Sequence, residues 1–146
     1  MALDSNVLAY AEGVNGTARK KTALDIIARL PDESTFIPVQ ALGELFHVLV
    51  RKAARSPERA RAAILSWQDA FPLVETSPSV IMSATDLAAE HRLSIWDAVI
   101  LSASAAASCR LLLSEDMQPG FTWHGVTVAN PFVPEKHELL AGLLEQ

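Results

Sequence analysis

The chain begins with M-A-L-D-S-N-V-L-A-Y at residues 1–10, where a carboxylate interrupts an otherwise apolar segment. Ala2 and Leu3 predict a short buried strand, and Asp4 follows directly at the end of that strand. A single acid at such a boundary is most often a cap for the next element. Whether Asp4 has another role therefore depends on where the other carboxylates of the chain fall.

Beyond this segment, short apolar runs alternate with longer helical patterns. Strands are predicted at residues 2–3, 35–37, 72–75, 110–113 and 126–128. Helices are predicted at 17–30, 38–53, 56–71, 79–92 and 94–109, with a last one from residue 135. Because helices separate the strands, we expect crossover connections and hence a three-layer α/β fold, in which a parallel five-stranded sheet is flanked by helices.

Length and composition bound the class of protein. The 146 residues suit one domain spanning 1–146, and half of them are apolar with a mean hydropathy of +0.22. The single cysteine, Cys109, argues against a disulfide framework and a cysteine metal cage. No secretory signal or membrane-spanning run is recognisable, so we expect a cytoplasmic protein without a membrane partner.

Charge is segregated along the chain. The net charge is −5 and the pI is about 5.3, which by themselves argue against a nucleic-acid partner. Two short windows nevertheless hold most of the basic residues: Arg19, Lys20 and Lys21 in one, and Arg51, Lys52, Arg55, Arg59 and Arg61 in the other. A polyanion can therefore bind locally to an acidic protein of this kind.

Four acids stand where the pattern favours apolar or neutral residues. Asp4 and Asp116 follow predicted strands, whereas Glu44 and Asp97 lie in the first turns of predicted helices. Taken singly, each aspartate is most simply a cap, but Glu44 has apolar neighbours on both sides. Strand ends and the helix starts that follow them share one rim of a doubly wound sheet, so we expect the four to converge.

A cluster of carboxylates is chemically suited to a divalent cation. Such acids repel one another and have raised pKa values unless a cation neutralises them. An all-oxygen site favours Mg²⁺ or Mn²⁺, which typically support transfer or hydrolysis at phosphorus. The basic windows then predict a substrate that carries phosphates.

The ordered motifs resemble those of the PIN-domain ribonucleases, and among them the VapC-like toxins of type II toxin–antitoxin systems. The resemblance rests on L-D-S-N-V-L at 3–8, E-L-F-H-V-L at 44–49, W-D-A-V-I at 96–100 and L-S-E-D-M at 113–117. Each motif alone is weak, but the four occur in the family's order across nearly the whole chain.

The resemblance implies a Mg²⁺- or Mn²⁺-dependent endoribonuclease with an RNA substrate. Asp4, Glu44, Asp97 and Asp116 match the family's catalytic, metal-binding acids, while Asn6 and Ser114 match its supporting polar residues. It also implies a cognate antitoxin protein and a homodimer. Three basic residues are the candidates for RNA contact: Arg51, Lys52 and Arg55.

Several neighbouring residues receive plainer interpretations. Glu115 either reaches the metal or faces solvent, and we favour the solvent-facing interpretation. We interpret His47 as a half-buried helical histidine rather than as a base or metal ligand. Trp67, Trp96 and Trp123 are expected in the core or at an interface rather than as platforms for bases.

Two other classes of protein stay open. A non-catalytic PIN-like binding module would keep the fold without needing the metal, so titration with Mn²⁺ discriminates it. An aspartate-phosphorylated receiver or phosphotransferase also places an Asp after the first strand. A receiver requires a Lys at a late strand end, and a haloacid-type phosphotransferase requires a second Asp where this chain has Asn6, so we rank both below the nuclease.

Overall fold

The computed structural model describes all 146 residues. Six short strands and seven α-helices form its regular structure. The strands are β1 Ala2–Leu3, β2 Ile37–Pro38, β3 Leu73–Val74, β4 Leu111–Leu113, β5 Thr122–Trp123 and β6 Val126–Ala129. The helices are α1 Ser5–Ala11, α2 Thr17–Ala28, α3 Val39–Arg51, α4 Pro57–Ala70, α5 Pro78–His91, α6 Ile95–Ala106 and α7 Glu138–Leu144. The α/β class that the sequence predicts is confirmed.

The predicted five-stranded parallel sheet was wrong in its details. The strands form a four-stranded sheet in the order β1-β4-β6-β5 and a separate pair β2-β3. In the larger sheet, β1, β4 and β6 are parallel, but β5 runs antiparallel to β6. A parallel bridge between Ala2 and Phe36 links the two sheets, because Leu3 N–H donates to the Phe36 carbonyl.

The antiparallel strand β5 exists because a tight turn follows it. His124 and Gly125 both have positive φ, at 47° and 83°, which matches the two-residue turn that joins twisted antiparallel strands. Thr122 pairs with Thr127 across this hairpin, and their hydroxyl oxygens lie 2.9 Å apart. The hairpin therefore extends the sheet beyond β6 without a crossover.

Local capping explains where the helices begin. Ser56, Ser77 and Ser94 accept hydrogen bonds from the backbone N–H groups of Arg59, Val80 and Asp97, respectively. Proline occupies the first turn of both α4 and α5, where its missing N–H costs nothing. The Ser94 cap fixes the first turn of α6, and with it the backbone of Asp97.

Residues of β1, β4, β6 and α6 belong to one hydrophobic core. Helix α6 contacts β2, β4 and β6, and its residues from Ala98 to Ser104 are all buried. Helix α1 contacts α2 and α3, while α5 packs along α6. None of the seven helices combines the length and the apolar character that crossing a lipid bilayer requires.

Candidate functional site

Asp4 lies at the centre of a polar cluster at the carboxyl end of β1. Its side chain is only 2% exposed, and it caps α1 by accepting a hydrogen bond from Ser5 N–H at 2.7 Å. The other carboxylate oxygen accepts from the Ser114 hydroxyl at 2.6 Å and from Asn6 Nδ2 at 3.2 Å. The cap interpretation of Asp4 is thus correct, but it accounts for only one of the two carboxylate oxygens.

Asn6 and Ser114 join Asp4 to the end of β4. Asn6 Nδ2 lies 3.2 Å from both the Ser114 hydroxyl and Asp116 Oδ2, and Asn6 Oδ1 accepts from Glu115 N–H at 3.1 Å. Ser114 in turn accepts from Asp116 N–H at 3.2 Å. Both residues are buried, so these bonds hold the 114–116 segment against the start of α1.

Glu44 approaches Asp4 from α3. The Ser5 hydroxyl donates to Glu44 Oε2 at 2.7 Å and lies 3.4 Å from Asp4 Oδ1, so that it bridges the two carboxylates. Gln40, one turn earlier on α3, donates to the other Glu44 oxygen at 3.3 Å. The sequence motifs did not single out Ser5 or Gln40, although Gln40 stands at the helical spacing that places it beside Glu44.

Asp97 completes the group from the first turn of α6. Burial raises the pKa of Asp97, and the charge of Glu44 raises it next, while the hydrogen bond with Ser94 lowers it and Asp116 raises it further. Asp97 therefore lies near enough to Glu44 and Asp116 for their charges to act on it, and hydrogen bonds through Ser5 and Asn6 join Asp4 to Glu44 and Asp116. The structure thus brings together Asp4, Glu44, Asp97 and Asp116 from four separate parts of the chain.

Among the acids of the site, buried Asp4 has the largest pKa shift. Burial raises the pKa of Asp4 from 3.8 to about 7; hydrogen bonds from Ser114 and Ser5 oppose the rise, and the charges of Glu44 and Asp97 add to it. A positive charge placed among these acids would favour the ionised form. The electrostatics therefore suit a cation at this rim.

The carboxylates are not arranged as a closed metal cage. No three histidine, cysteine or acidic side chains approach one another closely enough to hold a metal ion between them. The donor set nevertheless fits Mg²⁺ or Mn²⁺, because it is made of oxygen alone and Mg²⁺ commonly takes one or two carboxylates and keeps its waters. An open, hydrated site is what this arrangement suits.

Glu115 is not the solvent-facing residue that we predicted. It forms an ion pair with Arg19, which leaves 24% of its side chain exposed. The Arg19 guanidinium also lies 5.3 Å from the Tyr10 ring centre and 5.2 Å from that of Phe132. Arg19 thus fastens α2 to the segment that carries Asp116, a link for which the sequence gives no local signal.

The basic candidates differ in their surroundings. Arg51 and Lys52 are exposed at the end of α3, and Lys52 lines a cleft of about 280 Å³ together with Asn6 and Asp116. Arg55 already binds Glu12 twice. Its Nη1 donates to the Glu12 carboxylate at 2.9 Å, and its Nη2 donates to the Glu12 backbone carbonyl at 2.7 Å. Lys52 is therefore the basic candidate nearest the acids, and Arg55 has a structural partner.

His47 departs from its expected environment, because it is exposed rather than half-buried. Of the two environments expected for Trp96, the core is excluded, since 55% of its surface is accessible, and an interface stays a prediction. Trp67 is partly buried and donates its indole N–H to Glu12 at 2.9 Å. Trp123 is also partly buried and stacks on His124 with 3.9 Å between ring centres.

Solved structures with the same fold include toxins of toxin–antitoxin systems. VapC20 of Mycobacterium tuberculosis, a sarcin-ricin loop cleaving toxin, is 18% identical with a TM-score of 0.67, and the match covers 79% of this chain and 88% of that one. A toxin–antitoxin complex from Klebsiella pneumoniae is 20% identical with a TM-score of 0.66, covering 90% and 97%. VapBC2 from Rickettsia felis, bound to a fragment of its promoter DNA, is 15% identical with a TM-score of 0.64, covering 88% and 96%.

At these identities the solved structures establish a shared fold and leave activity open. No curated protein sequence matches the chain. The family model of the PIN domain matches residues 1–119, a range that contains all four acids as well as Asn6 and Ser114. With this match over most of its length, the chain belongs to the PIN domain family.

Proposed function

We propose that this PIN domain is a Mg²⁺- or Mn²⁺-dependent endoribonuclease and acts as the toxin of a toxin–antitoxin pair. PIN domains are typically nucleases and typically use Mg²⁺. The observation that carries the proposal is the convergence of four carboxylates around a buried Asp4 whose pKa is raised to about 7. Such a cluster is unfavourable unless a cation binds to it.

Each acid has a distinct part in this proposal. Asp4 and Asp97 would hold the cation, with Glu44 and Asp116 completing its surroundings directly or through waters. When bound, the cation supplies positive charge to the scissile phosphate and lowers the pKa of water near it. Asn6 and Ser114 position Asp4 and Asp116, as their hydrogen bonds indicate.

The basic residues would bind the RNA backbone. Lys52 lies beside Asp116 in one cleft, and the exposed Arg51 extends the positive surface along α3. Two phosphate contacts of this kind give binding that weakens as salt rises. Arg55 remains a candidate for RNA contact, with its bond to Glu12 as the competing role.

The structural relatives support a protein partner for this chain. Two of the similar structures hold toxin–antitoxin assemblies, which supports an antitoxin partner for this chain. We extend this to a homodimer, which the family resemblance implies, and to a cytoplasmic location, which the single cysteine suits. The gene next to this one tests the pairing, since a short upstream frame with a DNA-binding segment would supply the antitoxin.

RNA cleavage tests the proposed activity. With Mg²⁺ or Mn²⁺, the wild-type protein is expected to cut RNA internally, whereas Asp4→Asn and Asp97→Asn should not. The matched control is Asp86→Asn, which removes an exposed carboxylate on α5 that is not one of the four acids. Circular dichroism establishes that each variant is folded. Cleavage by both active-site variants at the wild-type rate would refute the mechanism.

Two alternatives predict different results in the same preparation. A non-catalytic binding module would cut no RNA although its acids remain intact. An aspartate-phosphorylated domain would instead form a trapped aspartyl-phosphate at Asp4. Asn6 disfavours the second alternative, since a haloacid-type phosphotransferase requires a second Asp at that position.

A further inference from the structure

Trp96 is exposed next to the acidic rim. It lies in the first turn of α6, one residue before Asp97, with 55% of its surface accessible. It borders a cleft of about 410 Å³ that begins at the site itself. The other residues lining that cleft are Ser5, Gln40, Gly43, Glu44, His47 and Val48.

The exposed indole of Trp96 is available for contact with a ligand. Burying apolar surface is worth roughly 25 cal/mol per Å², so a large aromatic ring left in water retains substantial binding energy. The Trp96 ring belongs to none of the aromatic pairs in the molecule, whereas the Trp67 and Trp123 rings each have a stacking partner. More than half of its surface is thus free of contacts within the chain.

The lining of the cleft indicates the chemistry of the ligand. Only Trp96 and Val48 are hydrophobic among the seven lining residues, which poorly matches the apolar face of a partner helix. A nucleobase combines a flat apolar face with polar edges, and base–aromatic stacking is tolerant of sequence. Exposed His47, on α3, offers ring nitrogens in the same cleft.

We propose that Trp96 is a stacking platform for one unpaired nucleobase of the RNA, in the cleft that leads to Glu44. The inference deepens the proposed nuclease function and rests on it. A base within a duplex is stacked on its neighbours and cannot lie against a side chain. The platform therefore requires that one base of the bound RNA be unpaired where it enters this cleft.

Binding of a single-stranded RNA oligonucleotide tests the platform. All variants carry Asp97→Asn so that the RNA stays intact, and fluorescence anisotropy reports binding. We expect Trp96→Ala to weaken affinity roughly tenfold or more, while Trp96→Phe keeps most of it. The control is Met82→Ala, which removes another exposed apolar side chain, on α5, that lines neither cleft.

An abasic oligonucleotide locates the contact. When the stacked base is missing at one position, Trp96→Ala should produce no further loss of affinity, because the two changes remove the same contact. Equal RNA affinity for Trp96→Ala and its parent, in a protein whose wild type cuts RNA, would overturn the platform and leave the nuclease standing. Absence of both cutting and binding in every form would overturn both.

Sedimentation velocity of the same proteins separates RNA from a protein partner. If Trp96→Ala changes the oligomeric state and leaves RNA affinity as it was, Trp96 belongs to an interface between proteins and the platform is refuted. An unchanged oligomeric state together with weakened RNA binding supports it.

Discussion

At the scale of single residues, one hydroxyl group organises the site. Ser114 has one proton to donate, and it donates to Asp4 at 2.6 Å while accepting from Asp116 N–H and Asn6 Nδ2. Every hydrogen-bonding position of the hydroxyl is thus used, in a residue with no exposed surface. Ser114 therefore couples the end of β1 to the end of β4.

Removing this hydroxyl should weaken metal binding while the fold is kept. Ser114→Ala takes away the bond that most lowers the pKa of Asp4, so the carboxylate becomes harder to ionise. Loss of a residue that orients a ligand typically reduces metal affinity about 10- to 100-fold. Titration of Mn²⁺ measures this loss.

Ser104→Ala serves as the comparison for Ser114→Ala. Ser104 is equally buried, but its hydroxyl donates at 2.8 Å to the Ile100 carbonyl within α6. The Ser104→Ala variant should bind Mn²⁺ with the affinity of the wild type. Wild-type affinity in Ser114→Ala would show that the hydroxyl does not position the acids.

At the scale of elements, a polar clamp holds the α3–α4 connection against the end of α1. Glu12 accepts from Arg55 and from the Trp67 indole N–H, each at 2.9 Å. The ion pair is partly buried, with 25% and 21% of the two side chains exposed. The clamp thereby fixes the turn that follows Arg51 and Lys52.

Breaking the clamp should destabilise the domain measurably. Glu12→Ala leaves the Arg55 guanidinium and the indole N–H without this partner, and we expect it to lower the free energy of unfolding by about 2 kcal/mol. Urea denaturation measures the change. Asp25→Ala removes an exposed i,i+4 pair with Arg29 and should cost no more than about 0.5 kcal/mol. Equal effects of the two substitutions would refute the clamp.

The longer helices and most of the strands were predictable from sequence, whereas helix α1 and strand β5 were not. The predicted start of α4 at Ser56 and Pro57 is confirmed, because capping residues and periodicity agree there. Helix α1 escaped prediction since it has seven residues, of which all but Ser5 are buried, so no polar face marks its period. Strand β5 has two residues and a His-Gly turn, a weaker signal than Asn-Gly.

The candidate site was predictable to the extent that strand ends determine it. Asp4 and Asp116 follow adjacent parallel strands, and parallel strands end at the same rim. The contacts of Arg19 with Glu115 and of Ser5 with Glu44 depend on how helices pack across that rim. Periodicity carries no information about such contacts, so the sequence does not predict them.

At the scale of the whole molecule, the acidic cluster makes stability depend on pH. The pKa of Asp4 is about 7 in the folded protein, whereas an aspartate in the unfolded chain has its ordinary pKa of 3.8. Between these values the folded protein holds a proton that the unfolded chain has released. The contribution of Asp4 to stability is therefore greatest at low pH, falls as pH rises, and levels off above about 7.

A pair of unfolding curves tests this contribution. In metal-free buffer, the stability of Asp4→Asn relative to the wild type should increase from about pH 4 to about pH 7 and then stay constant. The difference between the two proteins isolates Asp4 from the other acids, which are common to both. A difference that does not change across this range would contradict the raised pKa.

The central claim is that the four acids form a divalent-cation site, and calorimetric titration with Mn²⁺ tests it most directly. We predict saturable binding to the wild type and to Asp86→Asn, and loss of that binding in Asp4→Asn and Asp97→Asn, with all four proteins folded. No binding of Mn²⁺ to the folded wild type, or equal binding by all four proteins, would contradict the claim.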